Sequence, residues 1–170
     1  MKQASKQETA TAESAQYLTF MLGGESFGIG IMSVKEIIEF SGITEVPMMP
    51  ESIRGVINLR GAVVPVMDLA ARFGRPMAVP GKRTCIVIVE LEAEGERQVT
   101  GVVVDAVSAV LDIAASEIEP APSFGTRIRG DFIAGMGKLN GKFVILLNVH
   151  QVLALDLSHV AELAADQLPA

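Results

Sequence analysis

The sequence predicts a mainly β protein built from two similar β-rich subdomains with pseudo-twofold symmetry. Three observations lead there. Short aliphatic and β-branched runs, such as Ala62 to Met67 and Phe143 to Leu147, are bounded by glycine-containing turns. Two blocks recur in the same order along the chain. Helical periodicity is confined to a few brief stretches.

Taken in order, Met1 to Gln16 is polar and reads as a disordered tail (1–16) without the hydrophobic segment of a secretory signal. Tyr17 to Leu22 and Phe27 to Ile31 are strands joined by the turn Gly23-Gly24-Glu25-Ser26. Val63 to Met67 is a further strand. Pro65 cannot donate to a ladder, so this strand is expected at a sheet edge or beside a bulge. A short helix follows at Asp68 to Phe73. Cys85 to Leu91 and Gln98 to Val104 form a hairpin about a loop at Ala93-Glu94-Gly95-Glu96. Lys142 to Leu147 is a strand, and Val149 to Ala154 a short helix. Ser158 is placed to cap a terminal helix reaching Gln167, with Val160, Leu163 and Ala164 on one face. The expected boundaries are a body over 17–155, with repeats of about 17–80 and 83–154, and a C-terminal helix and tail over 156–170.

The repeat pairs Gly28-Ile29-Gly30-Ile31-Met32-Ser33-Val34-Lys35-Glu36-Ile37 with Gly101-Val102-Val103-Val104-Asp105-Ala106-Val107-Ser108-Ala109-Val110, an offset of 101 − 28 = 73. Pro47 falls on Pro120 at that offset. Leu59-Arg60-Gly61 through Asp68-Leu69 matches Leu139-Asn140-Gly141 through Asn148-Val149 at 139 − 59 = 80, and Ile53-x-Gly55 falls on Ile133-x-Gly135. The seven additional residues of the second copy lie between Pro120 and Ile133, where Ser123-Phe124-Gly125-Thr126 marks a loop. Glycine supplies the positive φ that a tight turn before a strand requires.

Composition narrows function by exclusion. Hydrophobic residues make up 49% of the 170 residues, enough for a core. No apolar run approaches the roughly 20 residues of a membrane-spanning helix, so direct membrane insertion is not expected. A net charge of −6, no Trp and one Tyr argue against nucleic acid and for a protein partner. The single cysteine, Cys85, fits a reducing cytoplasm and opens an apolar run, as a buried, inert thiol would. His150 and His159 have no metal-ligand spacing. Glu90, Glu92, Glu94 and Glu96 alternate as on a solvated strand edge, and nothing in the spacing brings Asp105 and Asp112 together as an acid–base pair. The glycine-rich stretches at Gly23–Gly30 and Gly135–Lys138 lead into strands, whereas a phosphate cradle needs a helix N-terminus. Nothing marks an enzyme, a cofactor or a metal site.

The block Ile53-Arg54-Gly55-Val56-Ile57-Asn58-Leu59-Arg60-Gly61-Ala62-Val63-Val64-Pro65-Val66-Met67-Asp68-Leu69 closely resembles the hallmark of the CheW family of bacterial chemotaxis coupling proteins. Phe27-Gly28-Ile29 through Ile37, Gly101 through Leu111, and Pro120-Ala121-Pro122 before Gly135-Met136-Gly137 match the same family in order, covering about Tyr17 to Leu153. The resemblance implies two intertwined SH3-like five-stranded β-barrels. It implies a cytoplasmic adaptor, recruited to membrane-associated arrays, that joins methyl-accepting chemotaxis receptors to the regulatory domain of the histidine kinase CheA. A receiver domain would roughly double the length, so the two-domain relative CheV is not expected. The alternatives are an adaptor of a pilus-motility or surface-sensing pathway, and a small β-barrel enzyme or ligand-binding protein. Matching positions carry over Val34, Glu36, Ile37, Gly55, Arg60, Gly101, Val110 and Gly135 as receptor-binding residues in a groove between the barrels. Val46, Ile53 and Arg54, in the segment Thr44 to Arg54, carry over as kinase-binding. Val34, Ile37 and Val110 are either groove residues or core. Arg60 is either a binding residue or a clamp joining the barrels through a bidentate ion pair.

Overall fold

A computed structural model describes residues 14–77, 79–93, 95–121 and 130–154. It is mainly β. The strands are β1 (Ser14–Leu22), β2 (Glu25–Gly30), β3 (Val34–Glu39), β4 (Ile53–Leu59), β5 (Ala62–Asp68), β6 (Cys85–Ala93), β7 (Glu96–Val104), β8 (Ala106–Ala114), β9 (Ile118–Glu119), β10 (Ile133–Leu139) and β11 (Lys142–Leu147). Two one-turn helices, α1 (Leu69–Arg72) and α2 (Val149–Val152), follow β5 and β11.

The strands form two sheets, ordered β8-β1-β2-β11-β10-β9 and β3-β6-β7-β5-β4. The first hairpin of each half has moved into the other half's sheet. β1–β2 pairs with β8 and β11, while β6–β7 pairs with β3 and β5. Corresponding joints match closely. β2 meets β11 in parallel at Gly28↔Leu146, and β7 meets β5 in parallel at Gly101↔Val66. Both β4 and β10 carry a register shift, at Ile53/Gly55 and Ile133/Gly135. Asp68 caps α1 by accepting from Ala71 N at 3.1 Å, and Asn148 caps α2 by accepting from Gln151 N at 3.3 Å.

Burial explains why both faces of the central strands are apolar. On β6, Val87, Val89 and Leu91 join the core between the sheets, whereas Ile86 and Ile88 join a second cluster with Ile57, Val64, Val66 and Val103. Each such side chain contributes roughly 1.5–3 kcal/mol by leaving water. A file of rings, Phe20–Phe27–Phe73–Phe132, crosses the central core with centroids 6.0, 5.6 and 5.8 Å apart. Arg72 closes the end of it, its guanidinium 4.8 Å from the Phe132 centroid and its Nε donating to the Val152 carbonyl at 2.7 Å.

Several expectations need correction. The ladders form open sheets of six and five strands, and neither closes as a barrel among the described residues. The first strand begins at Ser14, within the expected tail, because β8 supplies partners for Ser14, Ala15 and Gln16 (Ala114, Ile113 and Asp112). Polar residues take up a strand when a neighbour completes their backbone hydrogen bonds. The strands β6 and β7 run closer to the hairpin tip than their apolar cores indicate, to Ala93 and from Glu96. Pro65 is not at an edge, since β5 lies between β7 and β4. It is beside the β4 bulge, as expected, and the parallel ladder to β7 starts one residue later, at Val66. In the other sheet the equivalent Ile145 does pair, with Phe27. The missing N–H of proline thus shortens one ladder instead of forcing its strand outward. The Ser123–Thr126 loop, Pro122, Glu94 and the terminal helix at Ser158–Gln167 lie outside the described residues.

Candidate functional site

The first candidate face is built on β3 and the β4–β5 turn. Arg60 and Gly61 have φ of 52° and 87°. Positive φ at both central residues makes a tight turn that follows the twist of its strands. Asn58 Oδ1 holds it by accepting from Gly61 N at 2.9 Å. From this turn Arg60 donates two hydrogen bonds to Glu36, Nη1 to Oε2 at 2.5 Å and Nη2 to Oε1 at 2.9 Å. The hydrogen bond from Arg60 holds the Glu36 carboxyl below its ordinary value, and Glu36 in turn raises the guanidinium. Because β3 and β4 are the two outer strands of the five-stranded sheet, the ion pair ties that sheet's opposite edges together. A clamp between the two subdomains is therefore not what this pair forms. The Arg60 side chain remains 70% exposed, so its outer surface is open to a partner.

Next to it, Ile37 is 43% exposed. Val34 is half-buried and packs against the central core. Val110 occupies on β8 the place Ile37 has on β3, with 48% exposure. Of these three aliphatics, all on edge strands, Ile37 and Val110 are not core. In the six-stranded sheet, Ala109 and Asn140 stand where Glu36 and Arg60 stand, so that sheet has no equivalent ion pair.

The three glycines carried over with this face are all buried. A Cβ on Gly101 would sit 2.6 Å from Ile86 Cγ2, and one on Gly135 would sit 2.6 Å from Ile118 Cγ2. At Gly55, with φ 152°, a Cβ would collide with the Thr44 carbonyl oxygen. Each glycine thus permits a close approach within its own sheet or to the chain beside it, Gly55 and Gly101 in the five-stranded sheet and Gly135 in the six-stranded one.

The second face surrounds the segment Thr44 to Arg54. Val46 and Ile53 are buried there. Arg54 is half-buried. Its Nε donates to Asp68 Oδ2 at 2.9 Å, and its guanidinium lies 5.1 Å from the Phe40 ring centroid. A depression of about 830 Å³ opens above, walled by Phe40, Val46, Met48, Pro50, Arg54 and Met77. Met48 is 97% exposed and Met77 47%. The sequence reading passed over both methionines. The proline-bounded pair Pro47-Met48-Met49-Pro50 was the available signal, because only one of two adjacent side chains can readily turn inward there.

Among the described residues no group of three His, Cys, Asp or Glu side chains could hold a metal ion, and no helix is long and apolar enough to cross a membrane. Asp105 accepts a hydrogen bond from Gly23 N at 2.8 Å, and Asp112 is exposed on β8. His150 is exposed on α2, and His159 lies outside the described residues. Cys85 is half-buried, and burial pushes its thiol up from the ordinary value.

A family model described as the CheW-like domain matches residues 16–157. The chain is 35% identical to the chemotaxis protein CheW of Klebsiella aerogenes over 139 residues, covering 82% of this chain and 81% of that protein. It is 32% identical to the chemotaxis protein CheW of Helicobacter pylori over 152 residues, covering 89% and 88%. Among solved structures, the scaffolding protein TtCheW from Thermoanaerobacter tengcongensis superimposes with a TM-score of 0.74 at 37% identity, over 84% of this chain and 89% of that one.

Proposed function

Because the chain belongs to the CheW-like family, we propose that it is a non-enzymatic adaptor joining methyl-accepting chemotaxis receptors to the regulatory domain of the histidine kinase CheA. The observation that carries this reading is the reach of the family match. Residues 16–157 take in all but the first two residues of the eleven strands. On this reading the protein works in the cytoplasm, at membrane-associated receptor arrays, and each open sheet with its inner apolar cluster corresponds to one SH3-like subdomain.

Receptor contact is assigned to the first face. Ile37 offers exposed aliphatic surface there to a helical receptor tip, with Val34 on the same strand, and Val110 offers the same at the matching position of the six-stranded sheet. The Glu36–Arg60 pair supplies fixed charges that set the register of docking. Gly55, Gly101 and Gly135 act indirectly, by allowing close packing within the two sheets that carry the contact residues. Kinase contact is assigned to the second face, with Arg54 at its margin and Val46 and Ile53 supporting it from below.

The test is reconstitution with the kinase and a receptor signalling fragment. Adding this protein is expected to bring the two into one sedimenting complex and to change the rate of kinase autophosphorylation. If both readouts stay at the level seen without it, the adaptor assignment fails.

A further inference from the structure

Met48 departs from the pattern around it in two ways. It has a φ of 65°, in the left-handed region that non-glycine residues seldom enter, and its long apolar side chain is 97% exposed. The segment carrying it is firmly held. Thr44 and Val56 exchange backbone hydrogen bonds of 2.8 Å each, and Ile53 N donates to the Pro50 carbonyl at 2.9 Å. Val46 is buried, and Met49 packs against the core. With its neighbours turned inward, Met48 is turned out. At the offset that places Pro47 on Pro120, the second half has Ala121, a small residue packed against the core. The projecting methionine belongs to the first half.

Such a conformation carries a cost that glycine or asparagine would avoid, and exposed in water the side chain returns nothing for it. Methionine is suited to irregular apolar sockets, being unbranched and polarisable. The adjoining depression is lined by charges of both signs, Glu45 and Glu51 with Arg54 and Arg75, the two arginines being held in place by ion pairs with Asp68 and Glu25. A mixed lining fits the patterned surface of a folded protein better than a uniformly charged polymer or lipid surface.

We propose that Met48 is the anchor through which the regulatory domain of the kinase docks on this face. Its side chain enters an apolar socket of that domain, and the depression beside Met77 receives the partner's own side chains. This rests on the adaptor reading above and adds the contact residue that the buried Val46 and Ile53 cannot supply.

The test is calorimetric titration of the isolated kinase regulatory domain into the full chain and into Met48→Gly, Met48→Leu and Val79→Asp. Met48→Gly removes the side chain while suiting the backbone, so its Tm should equal or exceed that of the wild type. It should nevertheless bind the kinase about 10–100-fold more weakly, the range for losing one buried apolar side chain. Met48→Leu should stay within about threefold of the wild type, since it preserves volume. Val79→Asp, changed at a residue that is 88% exposed outside this depression, should bind as the wild type does. Binding of the receptor fragment should be the same for all four proteins. Failure of the wild type to bind the kinase domain would count against the adaptor reading itself. Wild-type binding that Met48→Gly leaves intact would overturn the anchor alone, as would a loss of self-association by Met48→Gly with kinase affinity unchanged.

Discussion

Substitutions at Arg54 and Asp68 should be strongly non-additive. The Asp68 side chain is fully buried, and it receives Arg54 Nε at 2.9 Å and the Ala71 amide at 3.1 Å. Arg54→Ala removes the guanidinium and leaves a carboxylate in the core, a change that costs about 3–5 kcal/mol. Asp68→Asn keeps the acceptor that caps α1, as Asn148 does for α2, and forfeits a charged hydrogen bond worth about 1.5–3 kcal/mol. The double variant places Ala and Asn together. That is the combination the second half carries at the matching positions Ala134 and Asn148. Its cost should be close to that of Asp68→Asn alone, because no carboxylate is then left in the core. In urea unfolding, Arg54→Ala should lie about 3–5 kcal/mol below the wild type, a Tm loss of about 6–20 °C for a chain of this size. The double variant should recover about 1.5–2 kcal/mol of that loss, the difference between matched ends of the two ranges. If the double variant loses the sum of the two single changes, the buried pair is not the source of the coupling and the reasoning is refuted.

Three further predictions concern the buried glycines, the Glu36–Arg60 pair and the single cysteine. Gly101→Ala should destabilise by about 1–3 kcal/mol through overpacking against Ile86, and Gly55→Ala by more, because the obstructing atom is the Thr44 backbone carbonyl; paired denaturant curves check the order. By carbon-detected NMR, Glu36 should titrate below its ordinary value of 4.5 and return toward it in Arg60→Ala. Its folded pKa is depressed, so the pair's contribution is present above the unfolded value and is lost as pH falls through the folded one. Cys85 should react with iodoacetamide more slowly in the native protein at pH 8 than in denaturant, as burial both shields the thiol and raises its pKa.

Much of the fold was legible because turns and caps leave local marks. Gly61 and Gly141 signal their hairpins, while Asp68 and Asn148 stand at the start of helices. Strands β3 and β8 were hidden because, as edge strands with alternating or polar exposure, they carry no continuous apolar run. The exchange of hairpins had no trace in either repeat. Pairing β2 with β11 depends on residues more than a hundred positions apart, and no short-range pattern encodes that choice. The site was legible where chemistry was specific. Glu36 and Arg60 are charges inside apolar motifs, and they meet. Carried-over aliphatics separated poorly, since Val46 and Ile53 are as apolar as Ile37 and only burial distinguishes them.

The exchanged hairpins also set a timetable for synthesis. β2 ends at Gly30, and its partner β11 begins at Lys142, 142 − 30 = 112 residues later. At roughly 5–20 residues per second, the first hairpin waits about 6–22 s on the ribosome before its sheet can be completed. The β1 edge finds its partner once β8 has been made, but until β11 follows the hairpin presents an apolar face and the unpaired edge of β2 to other nascent chains. Neither half can finish folding before the other has been made, so the protein becomes an adaptor only after nearly its whole length has emerged.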